Sequence, residues 1–187
     1  MQLTRLFSLA SYMGVVLGSA VPLHRRETFT NITLYAYGTN ISGLPILYGD
    51  GLAYIGAEES SNLSSLTWEI SNTGTEPWNV TTSDGSNSNS STAASFYIID
   101  DGTSFAAAGF LSANTTTTTN MSTTGFSMFG GQVIHIADSM YEAQFWAQAT
   151  AQDGVWSLMW NADGSTQVDS VPVAVKTLPP GRSSDQA

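Results

Sequence analysis

Cysteine is absent from all 187 residues, and only five lysines and arginines stand against fifteen acids. Each shortage excludes a class of function. Without thiols there is no disulfide scaffold, no thiolate nucleophile and no cysteine-built zinc site. A formal charge of -10 leaves too few basic residues to replace counterions on a phosphate backbone, so nucleic acid is excluded as a partner. Two histidines do not make a three-histidine metal centre. Beyond the N-terminal segment, no apolar run reaches the roughly 18 to 20 residues that span a bilayer. The mature chain is therefore expected to carry no integral membrane segment, and its length suits one domain.

What is present begins with an export pattern. Met1 to Arg5 is weakly positive, Leu6 to Gly18 is mainly apolar, and Gly18-Ser19-Ala20 supplies small residues. This predicts a signal peptide over residues 1–20, cut after Ala20, rather than a buried N-terminal helix, because Pro22 follows directly. Arg25-Arg26 is the dibasic pair that kexin-like proteases read, which makes residues 21–26 a candidate pro-segment. The product would begin at Glu27 with fifteen acids against only Lys176 and Arg182, a net -13. Seven Asn-x-Ser/Thr acceptors, at Asn31, Asn40, Asn62, Asn79, Asn89, Asn114 and Asn120, take their meaning from that export signal. The expected localisation is secreted, extracellular or cell wall.

Period-two hydrophobicity runs through the mature chain. Ile32, Leu34 and Ala36 alternate with Thr33, Tyr35 and Tyr37; Leu66, Trp68 and Ile70 alternate with Thr67 and Glu69. Gly49-Asp50-Gly51 between two apolar runs marks a hairpin, since such turns need positive φ. Further strands are expected over 78–82, 94–99, 105–111, 125–129, 132–137, 142–151, 155–161 and 171–177. The fold class is thus all-β: one antiparallel sandwich or barrel of about ten to twelve short strands over residues 27–178. A flexible polar tail follows at 179–187, and the polar stretches 83–92 and 112–124 read as loops.

Residues able to carry chemistry are sparse. His135 is the only histidine left after processing, and spacing supplies neither a nucleophile nor an orienting acid, so a structural role is expected. The acidic turn from Asn161 fails as a calcium loop because Pro172 stands where its last ligand should be. Asp100-Asp101-Gly102-Thr103 reads as a turn with capping carboxylates, and no metal or cofactor is expected. Glu69 and Glu142 are the weak candidates for a paired-carboxylate glycosidase, each on the polar face of an expected strand. Gln144, Trp146 and Gln148 share a face with Glu142 and form a candidate sugar-binding platform, opposite a core face of Tyr141, Ala143, Phe145 and Ala147. Competing with that platform, the five tryptophans fill a β core.

The signal, the dibasic junction, the sequons and the strings ITLYAYGTNISGLPILYGDGLAYIG and GVWSLMWN together resemble small secreted or cell-wall-associated glycoproteins of filamentous fungi. The resemblance spans about residues 29–178 and brings no catalytic motif. It implies a non-enzymatic structural or interaction role in the extracellular space or cell wall. The alternatives are a carbohydrate-binding module or host-perceived effector, and an acid-active glycoside hydrolase. Implied partners are a wall polysaccharide or an extracellular host protein. Mass spectrometry of the product exported by a eukaryotic host checks the processing: its N-terminus should be Glu27, and enzymatic removal of N-glycans should collapse a heterogeneous mass to one value. A product retaining residues 1–20 and carrying no N-glycan contradicts the export reading.

Overall fold

A computed structural model describes residues 28–57, 63–83, 93–112 and 115–181. The expected signal peptide, Ala20, Arg25-Arg26 and the sequons Asn62, Asn89 and Asn114 lie outside the described residues, as does nearly all of the 83–92 loop. Sixteen strands follow one another: β1 (Thr28–Ile32), β2 (Tyr35–Gly38), β3 (Ile41–Gly49), β4 (Leu52–Gly56), β5 (Ser64–Ser71), β6 (Asn79–Ser83), β7 (Ala93–Ile99) and β8 (Phe105–Ala107). The second half comprises β9 (Gly109–Ser112), β10 (Met121–Ser122), β11 (Phe126–Phe129), β12 (Gln132–Ala137), β13 (Met140–Glu142), β14 (Phe145–Ala149), β15 (Val155–Asn161) and β16 (Ser170–Lys176).

Ten of them close an antiparallel barrel in the order β5-β6-β7-β9-β4-β15-β14-β16-β2-β3, and β3 pairs back to β5. β3 and β4 stand opposite each other in that ring and also pair directly, which pinches it. The remaining strands are additions: β1 on β5, β8 on β15, β10 on β7, and the β11-β12-β13 meander attached to β16 through Gln132 and Lys176. The fold is all-β, as expected.

Local chemistry explains the hinge points. Between β3 and β4, Asp50 and Gly51 have φ of 49° and 84°. Two successive positive φ values make the two-residue turn whose twist matches paired strands. The expected inward set on β5 is buried, with Leu66, Trp68 and Ile70 inside and Glu69 exposed. Three expected strands are broken instead. The 31–37 run splits into β1 and β2; Asn31 has φ of 56°, and the Leu34 carbonyl accepts from Ile46. The 105–111 run divides at Ala108, whose N–H donates to Leu158 while its carbonyl accepts from Ala53. One segment thereby serves β15 with β8, and β7 with β9. The 142–151 run splits into β13 and β14, leaving Tyr141 76% exposed and Ala143 exposed, so neither belongs to the core face assigned to it. The 112–124 loop also contains a short strand, β10, paired with β7.

Aromatic packing fills the interior. Trp68, Trp78, Trp160, Phe126 and Phe145 are fully buried. Trp68 meets Phe96 and Phe110 edge-on at 5.2 and 5.8 Å, and Trp78 donates its indole N–H to the Ser71 carbonyl at 2.9 Å. Edge-on contacts place the positive rim of one ring against the negative face of another, adding to the burial term. Replacing Trp68 with alanine should cost about 3–5 kcal/mol, the usual range for a buried tryptophan. Urea unfolding of Trp68→Ala measures this, and a loss below about 1 kcal/mol contradicts its central place in the core.

Candidate functional site

Among the described residues, Asp100 and Glu142 gather with a buried histidine, His135, in one titratable cluster. β12 carries His135 inward between Val133 and Ala137, and the side chain is only 4% exposed. Its imidazole packs against Phe126 at 5.3 Å and meets Trp160 edge-on at 5.5 Å. Gly125 closes one edge of the ring. Its φ is 88°, and a side chain there would stand 2.6 Å from His135 Nε2. Backbone can lie this close only because glycine has no Cβ. The Gly125 N–H donates to the Gly74 carbonyl, and its own carbonyl accepts from Ile136, so the closure is fixed at both ends.

Partners around the ring define its tautomer. Nε2 lies 3.2 Å from the Thr124 carbonyl oxygen, an atom that can only accept. Ser122 donates its hydroxyl to the same carbonyl and presents its lone pairs at 3.4 Å from Nε2. Both neighbours call for a proton on Nε2. Neutral His135 therefore has a bare lone pair on Nδ1. That atom is buried without a hydrogen-bond partner, while Asp100 Oδ2 lies at 3.5 Å and Glu142 Oε2 at 3.9 Å. These distances allow ionic attraction, but they exceed those of a formed N–H···O bond. The three donor atoms all lie within 4.8 Å of one another, and both carboxylates are about 20% exposed.

Glu142 arrives through the β12–β13 hairpin. Asp138 and Ser139 turn with φ of 46° and 69°, which sets His135 directly opposite Glu142. Asp100 arrives from elsewhere, at the C-terminal end of β7, where its N–H donates to the Asn120 carbonyl. Counting back from a two-residue Asp-Ser turn would have paired His135 with Glu142 from sequence alone. No local signal points to Asp100.

The other expected sites separate. Glu69 lines a shallow cleft of about 320 Å³ with Glu76, Ser71 and Asn79, and Ser71 donates its hydroxyl to Glu76 at 2.7 Å. Glu142 instead faces His135, so Glu69 and Glu142 have different neighbours. Trp146 and Gln148 remain half-exposed on β14, but Trp146 meets Phe105 edge-on at 6.3 Å and lies across from Met159 and Pro172. Gln144 precedes the strand with a buried Oε1, and Glu142 belongs to the previous strand. The four residues do not form one continuous strand face. A cleft missed in the sequence lies at the β3–β4 turn: Tyr48, Asp50, Tyr54 and Gln152 line about 280 Å³, with both tyrosines half-exposed. Its signal was the aromatic residue on either side of the Asp-Gly turn.

Asp101 has the capping role expected for its turn. Its carboxylate accepts from the Thr103 and Ser104 amides at 3.0 and 2.7 Å. These bonds favour the charged form and hold its carboxyl below the usual range. Because folding lowers this pKa, its stabilisation is present above the ordinary aspartate value and is lost as pH falls through the lowered folded value. An NMR titration should show the Thr103 and Ser104 amides moving with the Asp101 carboxyl at a pH below that of a free aspartate; amides indifferent to it contradict the cap. No family model matches the chain, and no curated protein or solved structure matches it either.

Proposed function

We propose that this chain is a secreted, N-glycosylated β-barrel acting without catalysis, as a structural or interaction module of the extracellular space or cell wall. The observation that supports it is the filled interior. Trp68, Trp78 and Trp160 are committed to the core together with Phe96, Phe126 and Phe145. Some barrels hold a ligand inside; here side chains occupy that space, so recognition falls to the outer surface. The sequons within the described residues agree with an outward-facing glycoprotein, since Asn31, Asn40, Asn79 and Asn120 are all exposed. A fungal source fits the sequence resemblance, and a wall polysaccharide or an extracellular host protein fits as partner.

Carbohydrate recognition is the second reading, and the cleft that Asp50 and Tyr54 line favours it. Tyr54 offers a half-exposed ring to a sugar and Asp50 an exposed carboxylate to its hydroxyls, while Tyr48 turns to the other face of the hairpin, against Phe110. Sedimentation of the purified protein with chitin, β-glucan and cellulose tests both readings. A structural or interaction module releases no reducing sugar from any of the three. If the cleft reads sugars, one polymer pulls the protein down and Tyr54→Ala weakens that binding about tenfold, or about 1.4 kcal/mol, while Trp146→Ala leaves it nearly unchanged. Release of soluble sugar overturns the non-catalytic reading, and unaltered binding by Tyr54→Ala overturns the cleft.

A further inference from the structure

We propose that Asp100, His135 and Glu142 form a binding site for one first-row divalent transition ion, of which Zn²⁺ is the probe. The inference begins with an electrostatic imbalance. In the neutral ring the Thr124 carbonyl holds the His135 proton on Nε2, so Nδ1 points a lone pair at two carboxylates. Three Lewis bases thus converge, one of them buried and without a hydrogen-bond partner. Such a constellation attracts a cation, either a proton on Nδ1 or a metal ion that takes its place. Side chains offer little help: Lys176 is the only Lys or Arg among the described residues, and its ammonium lies 5.5 Å over the Tyr37 ring.

Donor chemistry selects the ion. One imidazole nitrogen with two carboxylate oxygens suits Zn²⁺ and its first-row neighbours, whereas Ca²⁺ takes six to eight oxygens. Tetrahedral donors about 2.1 Å from a zinc ion lie about 3.4 Å apart. The two His135–carboxylate separations, 3.5 and 3.9 Å, are near that value, and a modest inward movement of the two part-exposed acids closes the set. The outer shell is already in place. A ligating histidine normally donates its other N–H to a carbonyl or carboxylate, which is the role of Thr124 here. Phe126, Trp160 and Gly125 fix the ring plane, so Nδ1 has one direction to face.

The ion would act as a clasp. Among the described residues no strand ladder joins β7 to β12 or β13, yet Asp100 follows β7 and the other two ligands lie on β12 and β13. A metal bridge ties the meander to the barrel in a chain that has no cysteine with which to do so.

Isothermal titration of tag-free, chelator-treated protein with Zn²⁺ tests the site, with Asp100→Asn and Glu142→Gln as near-isosteric variants that leave the buried histidine in place. One Zn²⁺ should bind per chain, the melting temperature should rise with Zn²⁺ concentration, and each variant should weaken binding at least tenfold. In the unaltered protein, nitrogen NMR should show Zn²⁺ shifting His135 Nδ1 while Nε2 keeps its proton, a readout that needs no variant to fold. No binding of Zn²⁺, equal binding by both variants, or a His135 Nδ1 signal indifferent to the ion overturns the proposal. Equal competition by Ca²⁺ also overturns it, because an all-oxygen site elsewhere would then be responsible.

Discussion

A closed circuit of five rings holds this barrel together: Phe96 to Phe126 at 5.0 Å, Phe126 to His135, His135 to Trp160, Trp160 to Phe145 at 4.9 Å, and Phe145 back to Phe96. These residues come from β7, β11, β12, β14 and β15, so the circuit joins the pinched ring to the meander added beside it. Favourable aromatic pairs contribute about 0.5–1.5 kcal/mol each beyond the area they bury. In a cysteine-free chain such packing and the strand ladders carry the stability that disulfides supply elsewhere. The circuit contains one polar member. Its Nε2 edge is satisfied within the fold, and its Nδ1 edge faces Asp100 and Glu142. Core packing and the charge cluster therefore share one residue, His135, and a change at that residue alters both.

Much of the barrel was legible because period-two patterns are local. The Asp50-Gly51 turn and the inward set Leu66, Trp68 and Ile70 needed only neighbouring residues to be read, and the structure bears them out. What the pattern missed were places where a strand changes partner. Nothing apolar or polar in 105–111 marks Ala108 as the point where pairing passes from β15 to β7 and β4; that switch depends on residues some fifty positions away, such as Ala53 and Leu158. Likewise Asn31 is a strand residue, as alternation suggests, but it sits at a register irregularity of the added strand β1, at positive φ. Asparagine tolerates that conformation better than most residues, which alternation alone does not encode.

The candidate site divides along the same line. Glu142 and His135 are seven residues apart and meet across a two-residue turn, so their pairing is local and was readable in principle. Reading 142–151 as one strand concealed it by placing Glu142 with Trp146 instead of with His135. Asp100 joins them only through the packing of β7 beside the meander, and no count of residues reaches it. The three tryptophans buried outright show why a sugar platform was hard to distinguish from a core: a β face that binds sugar and one that binds a second sheet use the same residue types.

Charge then limits what the outer surface can recognise. Among the described residues a single Lys or Arg, Lys176, is set over Tyr37, and the acids Asp50, Glu69, Glu76, Asp138, Asp153, Asp163 and Asp169 are exposed. An anionic partner would meet repulsion across this surface with almost no basic residue to anchor it. Neutral polymers meet no such barrier, because a sugar hydroxyl donates to a carboxylate and its ring packs on a tyrosine. Cationic partners would be drawn in as well, but through long-range attraction that salt screens over roughly 10 Å. Recognition in the cleft that Asp50 and Tyr54 line would act at contact distance, through shape rather than net charge. A surface this acidic is thus most selective where it is most local, and the turn that closes the β3–β4 hairpin is also where the half-exposed Tyr54 ring and the exposed Asp50 carboxylate line one cleft.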